Sequence, residues 1–495
     1  MRSDSLQTGV VLLALIGIVV CPHLIASQEQ RLPHAASLEQ RIQRIENGLL
    51  PATVLKGEPP SRMKLAERMQ FYHTPGVSVA VINDGKLEWS RGYGYVNSDS
   101  RQMVTTETQF QAASISKPLT AIAVLQLAER GKLRLDDDVN KYLLTWKVPE
   151  SEATKTEPPT IRRVLSHSAG FTVSGFLGYP AGKPLPTLIQ ILNGEPPANS
   201  APIRVDIVPG TKFRYSGGGY VVLQQMLMDV SKTSFAKLMQ PIFQAVTMSH
   251  SSFESPALNG NVASGHLPNG KQIDGGWYRY PELAAAGLWT TPADLARLEI
   301  ELQQAANGKS HRLLSLNSVN MMLTPQIENV GLGLMIDGNG ASRRFSFSGS
   351  NVGYKAFMVG YVNSGQGAVI MTNSENGAPL AMEILRAIAA EYGWPDYHPR
   401  ERVIAQIDPA VYAEYVGEYE LAPGAVITIT RAGNKLISQG PGQPQAELLP
   451  ESTTSFFLRD VDASFTFIKD ESGRVVQLTI RRGGREFHAR RIRKD

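Results

Sequence analysis

Strand-like sequence stands at both ends of one long segment with helical sequence between, and this arrangement limits the fold more than any other feature. At the near end, Val77-Ser78-Val79-Ala80-Val81-Ile82 and Lys86 to Tyr95 flank Asn83-Asp84-Gly85, an Asp-Gly turn between two β-type runs, so an antiparallel hairpin is expected. At the far end, Val330 to Ile336, Arg344 to Tyr361 and Gly367 to Asn373 read as strands. Ala121 to Ala128, Val221 to Val230 and residues 281 to 305 between them carry helical periodicity, and a further helix is expected from Pro379 to Tyr392. The fold class that follows is α+β: one antiparallel sheet assembled from both ends, flanked by helices and interrupted by a helical insert.

Beyond Trp394-Pro395-Asp396-Tyr397-His398-Pro399, residues 415 to 495 alternate at period two, as in Val426-Ile427-Thr428-Ile429-Thr430 and Ser464-Phe465-Thr466-Phe467-Ile468. This pattern predicts a small C-terminal antiparallel β meander of about eight strands, folded as a sheet or partial barrel. The expected organisation is a segment 1–27 for export, a main domain 28–393, a linker 394–404 and a β domain 405–495.

The chain has 495 residues, 42% hydrophobic and 19% charged, and carries a net charge of +4. That balance gives no bulk electrostatic reason to expect a nucleic-acid partner. Arg2 followed by the apolar run Gly9 to Cys21 and a small-residue site near Ala26 or Ser27 has the layout of a signal peptide, shorter than the ~20 residues of a membrane span. Export to the periplasm or outside the cell is expected, with retention as an N-terminal anchor the alternative. The sole cysteine, Cys21, falls inside this segment, so disulfides and thiolate chemistry are not expected in the mature chain. The nine histidines are scattered without an H-E-x-x-H pattern, and neither a metal nor a cofactor is expected. No Gly-x-Ser-x-Gly occurs, which removes the usual nucleophile elbow of the α/β-hydrolases.

Chemistry concentrates at Ser114-Ile115-Ser116-Lys117, placed at the opening of a helix that should start at about Ser114 and stop at Gly131. A hydroxyl and an amine three residues apart share one face of a helical turn. A serine hydroxyl needs such a neighbouring base to attack at neutral pH. Ser61-Arg62-Met63-Lys64 and Ser234-Phe235-Ala236-Lys237 have the same spacing, but both read as helix caps.

Tyr215-Ser216-Gly217 and Phe347-Ser348-Gly349 follow Ser114-Ile115-Ser116-Lys117 in order, at loop or helix-start positions beside the expected sheet. With these three elements the sequence resembles the serine β-lactamase and penicillin-binding-protein superfamily, in particular its class C-like branch, over about residues 60 to 390. Pro75-Gly76-Val77, Leu165-Ser166-His167-Ser168-Ala169-Gly170, Pro209-Gly210-Thr211 and Gly287-Leu288-Trp289 look like further signatures of it. The resemblance implies that Ser114 forms an acyl-enzyme, that Lys117 helps to deprotonate it, and that Tyr215 is the partner base or proton shuttle. It also implies an oxyanion hole from the backbone N–H groups of Ser114 and Ser350, and substrate contacts at Gly217, Phe347, Ser348 and Gly349. The C-terminal meander resembles the small β domain often appended to such hydrolases.

Two departures bear on the substrate. The second element usually ends in Asn, and here it is Gly217; the third usually starts with Lys or His, and here it is Phe347. Without a cation there, a substrate carboxylate loses its partner, so the resemblance implies a small-molecule or peptide ester or amide substrate rather than strong β-lactamase activity. Arg343 and Arg344 are the candidates for a displaced charge, on opposite strand faces. His167 is a further residue with base chemistry, in a loop that reads as packing. A β-lactamase or D-amino-acid carboxypeptidase is the nearest alternative. A catalytically silent binding or regulatory protein of the same fold, and a carbohydrate- or lipid-binding role centred on the C-terminal meander, are the alternatives from other classes. Membrane contact is expected only through the signal segment or the basic end, Arg481, Arg482, Arg485, Arg490, Arg491, Arg493 and Lys494.

Overall fold

The computed structural model describes residues 38–492 except 60, 258–259, 442–444, 460 and 483–484. The expected signal peptide, with Arg493 and Lys494, lies outside the described residues. The chain enters through α1 (Leu38–Glu46), β1 (Thr53–Leu55) and α2 (Leu65–Phe71) and then forms the hairpin β2 (Gly76–Asn83) and β3 (Lys86–Gly94). Asp84 and Gly85 take positive φ of 51° and 67°, the left-handed pair that a two-residue turn of this twist requires.

The insert runs through β4 (Phe110–Ala113), α3 (Ser116–Glu129), α4 (Glu152–Thr156), α5 (Ile161–Leu165), α6 (Leu188–Asn193), α7 (Gly217–Ser231), α8 (Phe235–Ala245), α9 (Leu283–Ala286), β5 (Leu288–Thr290), α10 (Pro292–Ala306) and α11 (Leu316–Met322). The chain returns through β6 (Met335–Asp337), β7 (Arg344–Asn351), β8 (Tyr354–Tyr361) and β9 (Gly367–Thr372), and α12 (Gly377–Tyr392) covers the sheet. The six strands lie in the order β3-β2-β9-β8-β7-β6, and β2 joins the two ends of the chain, antiparallel to both β3 and β9. The sheet is therefore built from both ends around a helical insert, as the strand placement implied.

Both faces of this sheet are buried, which explains why β2 reads as a near-continuous apolar run, interrupted only at Ser78. Ala80 and Ile82 point into the core shared with α3, α7 and α10, while Val77, Val79 and Val81 point into the core shared with α1 and α12. α3 is buried on nearly all sides, from Ser116 to Leu125 and at Leu127. That position suits a helix with no polar stripe.

Four local expectations change. Of the strand expected over Val330 to Ile336, only Met335 and Ile336 belong to β6. The helical region expected over residues 281 to 305 does restart at Thr291-Pro292, but Leu288–Thr290 before it form β5, which pairs antiparallel with β4. Three residues are too few to impose a period of two, so the pairing partner decides the conformation there. Ser61 does not cap α2; Lys64 occupies the N-cap without a side-chain bond, and Ser61 is exposed upstream. Ser234 does cap α8, accepting from the Lys237 N–H at 3.4 Å. α3 begins at Ser116 rather than Ser114, because the backbone turns at Ala113, whose φ is 50°.

After α12, Trp394 is buried in the second core, and β10 (Arg400–Arg402) pairs parallel with β1. A short helix, α13 (Tyr412–Tyr415), precedes β11 (Gly417–Ala422), β12 (Ala425–Ala432), β13 (Lys435–Gln439), β14 (Ala446–Pro450), β15 (Ser455–Phe457), β16 (Ala463–Lys469), β17 (Val475–Arg482) and β18 (Arg485–Ile492). These eight strands close into a barrel, with β18 pairing back onto β11, and closure leaves no free edge. The barrel core is aromatic: Tyr415 stacks on Phe467 at 4.2 Å, and Tyr419 and Phe456 meet the same ring edge-on. Arg402 reaches Glu451 of the barrel at 2.8 Å.

Gly349 on β7 passes so close to β4 that a Cβ there would stand 2.0 Å from the Ala112 carbonyl oxygen. Gly349→Ala must push the two backbones apart. It is expected to cost roughly 1–3 kcal/mol of stability, read as a lower denaturant midpoint.

Candidate active site

The short helix α9 organises the site. A single helical turn leaves its carbonyls without intrahelical partners. Three successive ones are taken by side chains from elsewhere. Ala284 O shares the Thr120 hydroxyl with Ser116 O, at 3.1 Å and 2.9 Å, while Ala285 O accepts from Lys117 Nζ at 2.7 Å and Ala286 O from Asn351 Nδ2 at 3.1 Å. One turn thus ties α3 to the tip of β7. Asn351 also donates to Gln111 Oε1 at 2.7 Å, and Gln111 in turn donates to Tyr278 O at 2.8 Å.

Lys117 is 2% exposed, and its Nζ lies 3.0 Å from Ser114 Oγ. Among the described residues it has no carboxylate within ion-pair distance; its hydrogen-bond partners are a hydroxyl and a carbonyl. Ser116, between the two, fixes the turn: its hydroxyl donates to Ala113 O at 2.6 Å and accepts from the Leu288 N–H at 3.0 Å. The Ser114 N–H makes no hydrogen bond among the described residues.

Tyr215 comes to the same place by a different contact. Lys117 Nζ lies 5.0 Å from the centre of the Tyr215 ring and 5.6 Å from that of Tyr220, a cation–π arrangement. Tyr220, which the sequence did not single out, anchors its hydroxyl on Leu165 O at 2.9 Å. His167 lies against Tyr215 with ring centres 4.4 Å apart. Burial, with the nearby Lys117 charge, pushes the His167 imidazole down to about 3, so it is neutral at any working pH.

β7 supplies the facing wall. Its Arg344 end pairs with β6, while Phe347 to Asn351 have a strand partner, β8, on one side only. Counting from the turn at Val352-Gly353, the antiparallel alternation turns the backbone N–H and C=O of Ser348 and Ser350 away from β8 and toward that free edge. Ser348 and Ser350 have exposed side chains; Gly349 and Phe347 are buried. Phe347 is 4% exposed and belongs to the main hydrophobic core. The ring therefore fills core volume. Arg343 donates to Leu323 O at 3.1 Å and Arg344 pairs with Asp396 at 2.8 Å, both at the opposite end of β7 from Ser350.

The absence of a side chain at Gly217 is explained by its neighbour across the site. A Cβ there would stand 3.0 Å from the Phe176 ring and 3.1 Å from Ser174 O, and the Gly217 and Gly218 N–H groups donate to Ser174 O and Val173 O. The loop before α6 has closed over the place where a larger residue would project.

These elements lie in a region matched by a known family. Residues 62–392 match the family model described as Beta-lactamase, and residues 401–493 match the domain of unknown function DUF3471. The chain belongs to the Beta-lactamase family. Penicillin-binding protein 4* of Bacillus subtilis (strain 168) is 24% identical over 447 residues, covering 82% of this chain and 92% of that protein. Protein flp of Staphylococcus aureus (strain N315) is 28% identical over 231 residues, covering 46% of this chain and 43% of that protein. The octameric penicillin-binding protein homologue from Pyrococcus abyssi superposes with a TM-score of 0.59 at 22% identity, over 86% of this chain and 98% of that one. The D-alanine carboxypeptidase AmpC from Burkholderia cenocepacia superposes at 0.53 and 19% identity, over 70% of this chain and 99% of that one. The Beta-lactamase fold thus carries an eight-stranded DUF3471 barrel at its C-terminus. Members of this family are serine hydrolases. No helix among the described residues is long and apolar enough to cross a membrane.

Glu282, just before α9, is fully buried, and neither carboxylate oxygen finds a hydrogen-bond partner among the described residues. Burial pushes its pKa up to about 7 from 4.5. Below pH ~4.5 both folded and unfolded forms hold the proton; above it the unfolded chain releases its proton first, so stability falls until about pH 7 and then levels. Glu282→Gln removes this loss. Its stability relative to wild type is expected to rise by on the order of 3 kcal/mol between pH 4.5 and 8, measured by denaturation at each pH; a difference independent of pH would refute the assignment.

Proposed function

We propose that the protein is an exported serine hydrolase that acts on ester or amide substrates through an acyl-enzyme at Ser114. The observation that carries this reading is the 3.0 Å contact between Ser114 Oγ and a buried Lys117 whose other hydrogen bond is to a backbone carbonyl. Lys117 takes the hydroxyl proton as Ser114 Oγ attacks the substrate carbonyl, and Ala285 O holds the amine in line. Tyr215, against Lys117, relays the proton to the leaving group. The N–H groups of Ser114 and Ser350 stabilise the oxyanion, a type of contact for which each donor is typically worth ~10²–10³ in rate. Ser348, exposed on the free edge of β7, lies where the substrate backbone would run.

The substrate preference follows from what lines that edge. With Phe347 turned into the core and Arg343 and Arg344 engaged elsewhere, the third element offers no cation to a substrate carboxylate. Esters and amides without that carboxylate fit better than β-lactams. D-amino-acid carboxypeptidase activity is the second reading, favoured by the penicillin-binding protein that covers most of this chain.

Short-chain p-nitrophenyl esters assayed beside a chromogenic cephalosporin test the preference. Esters should turn over faster, and a wide margin in favour of the cephalosporin overturns it. Ser114→Ala should abolish labelling by a fluorophosphonate probe, and Lys117→Met should slow it by ~10²–10⁴-fold. Identical labelling of wild type and Ser114→Ala would instead leave a silent binding protein.

A further inference from the structure

His167 is an unusual residue to find beneath this site. It is 3% exposed, its backbone takes a φ of 57°, and its Nε2 is buried without a hydrogen-bond partner. A left-handed backbone and an orphaned polar atom each cost stability, and such costs persist where the surroundings use the residue for something else.

The use is visible in its two hydrogen bonds to the Tyr215 segment. The Arg214 N–H donates to the His167 carbonyl at 2.8 Å, and the Ser216 N–H donates to His167 Nδ1 at 3.1 Å. The residues on both sides of Tyr215 are thus gripped by one histidine, and the tyrosine ring lies on the imidazole between them. His167 itself is held by the end of α5, its N–H donating to Val164 O at 3.2 Å.

We propose that His167 is a positioning residue for Tyr215, a two-point clamp that fixes the tyrosine ring against Lys117. This rests on the Ser114–Lys117–Tyr215 reading above. The clamp requires a neutral imidazole, because Nδ1 must accept the Ser216 N–H; a protonated ring would present a second donor there. The charged and titratable groups facing the ring are Lys117 from α3 and Tyr215 and Tyr220 from the α7 side. The low imidazole pKa agrees with this surrounding. The left-handed backbone has its own part, since it aims the carbonyl and the ring of one residue at two N–H groups of the same segment, on either side of Tyr215.

The experiment is a double-mutant cycle between His167 and Tyr215 on the full chain, with p-nitrophenyl butyrate turnover and the fluorophosphonate labelling rate as readouts. His167→Leu is expected to lower kcat and the labelling rate by ~10²-fold with KM changed less than about threefold, as for a displaced catalytic group. His167→Asn, whose Oδ1 can stand in for Nδ1, should recover most of that loss. In the Tyr215→Phe background His167→Leu should add almost nothing. Equal losses in both backgrounds would mean that His167 acts only on stability or on another group, and the proposal falls. An undiminished Tyr215→Phe would instead overturn the Ser–Lys–Tyr reading itself, and the clamp with it. If His167→Leu does not fold, His167→Asn and His167→Gln decide: Asn keeps the acceptor near Nδ1 and Gln moves it toward Nε2, so Gln equal to or better than Asn overturns the clamp.

Discussion

The site depends on a helix too short to satisfy its own carbonyls. Ala284, Ala285 and Ala286 present three orphaned oxygens in a row, and Thr120, Lys117 and Asn351 occupy them. An unpaired buried carbonyl costs about as much as a lost hydrogen bond, so stability alone holds α3, α9 and β7 in one register. The proposed nucleophile, its lysine and the strand edge that would receive the substrate are assembled as a consequence. The family's fold supplies the elements, and these three contacts set their spacing.

A second set of contacts shapes the opposite side. His167 grips both neighbours of Tyr215, while Val173 and Ser174 take the N–H groups of Gly217 and Gly218 and Phe176 fills the space at Gly217. The loop before α6 is thereby fastened to the start of α7. A larger side chain at residue 217 would need that loop to move, so the glycine and Phe176 form one steric unit.

The sheet, the insert and the barrel were legible because long elements carry their own periodicity. β2 buries both faces and reads as an apolar run interrupted only at Ser78; β12 and β16 bury one face and alternate. The pairing of strands from the two chain ends also followed from their placement. What escaped were elements decided by a distant partner. β5 exists only against β4, and the start of α3 is set by a left-handed Ala113 that no propensity favours. Of the site, Ser114, Lys117 and Tyr215 stood out by residue type and order. Ala285 could not, since an alanine carries no sign that its carbonyl will receive a lysine, and Asn351 and Gln111 resemble any pair of surface amides until the fold buries them.

By itself the sequence determined the kind of chemistry on offer, through a serine and a lysine one helical turn apart with a tyrosine following in order, and it determined the layers of the fold through the periods of its apolar residues. Tertiary structure alone decided which way Phe347 faces, what fills the place beside Gly217, and why His167 carries a strained backbone. Residue types and spacings along a chain specify local geometry, whereas these outcomes depend on side chains and carbonyls brought together from positions tens to hundreds of residues apart, as Lys117 is with Ala285.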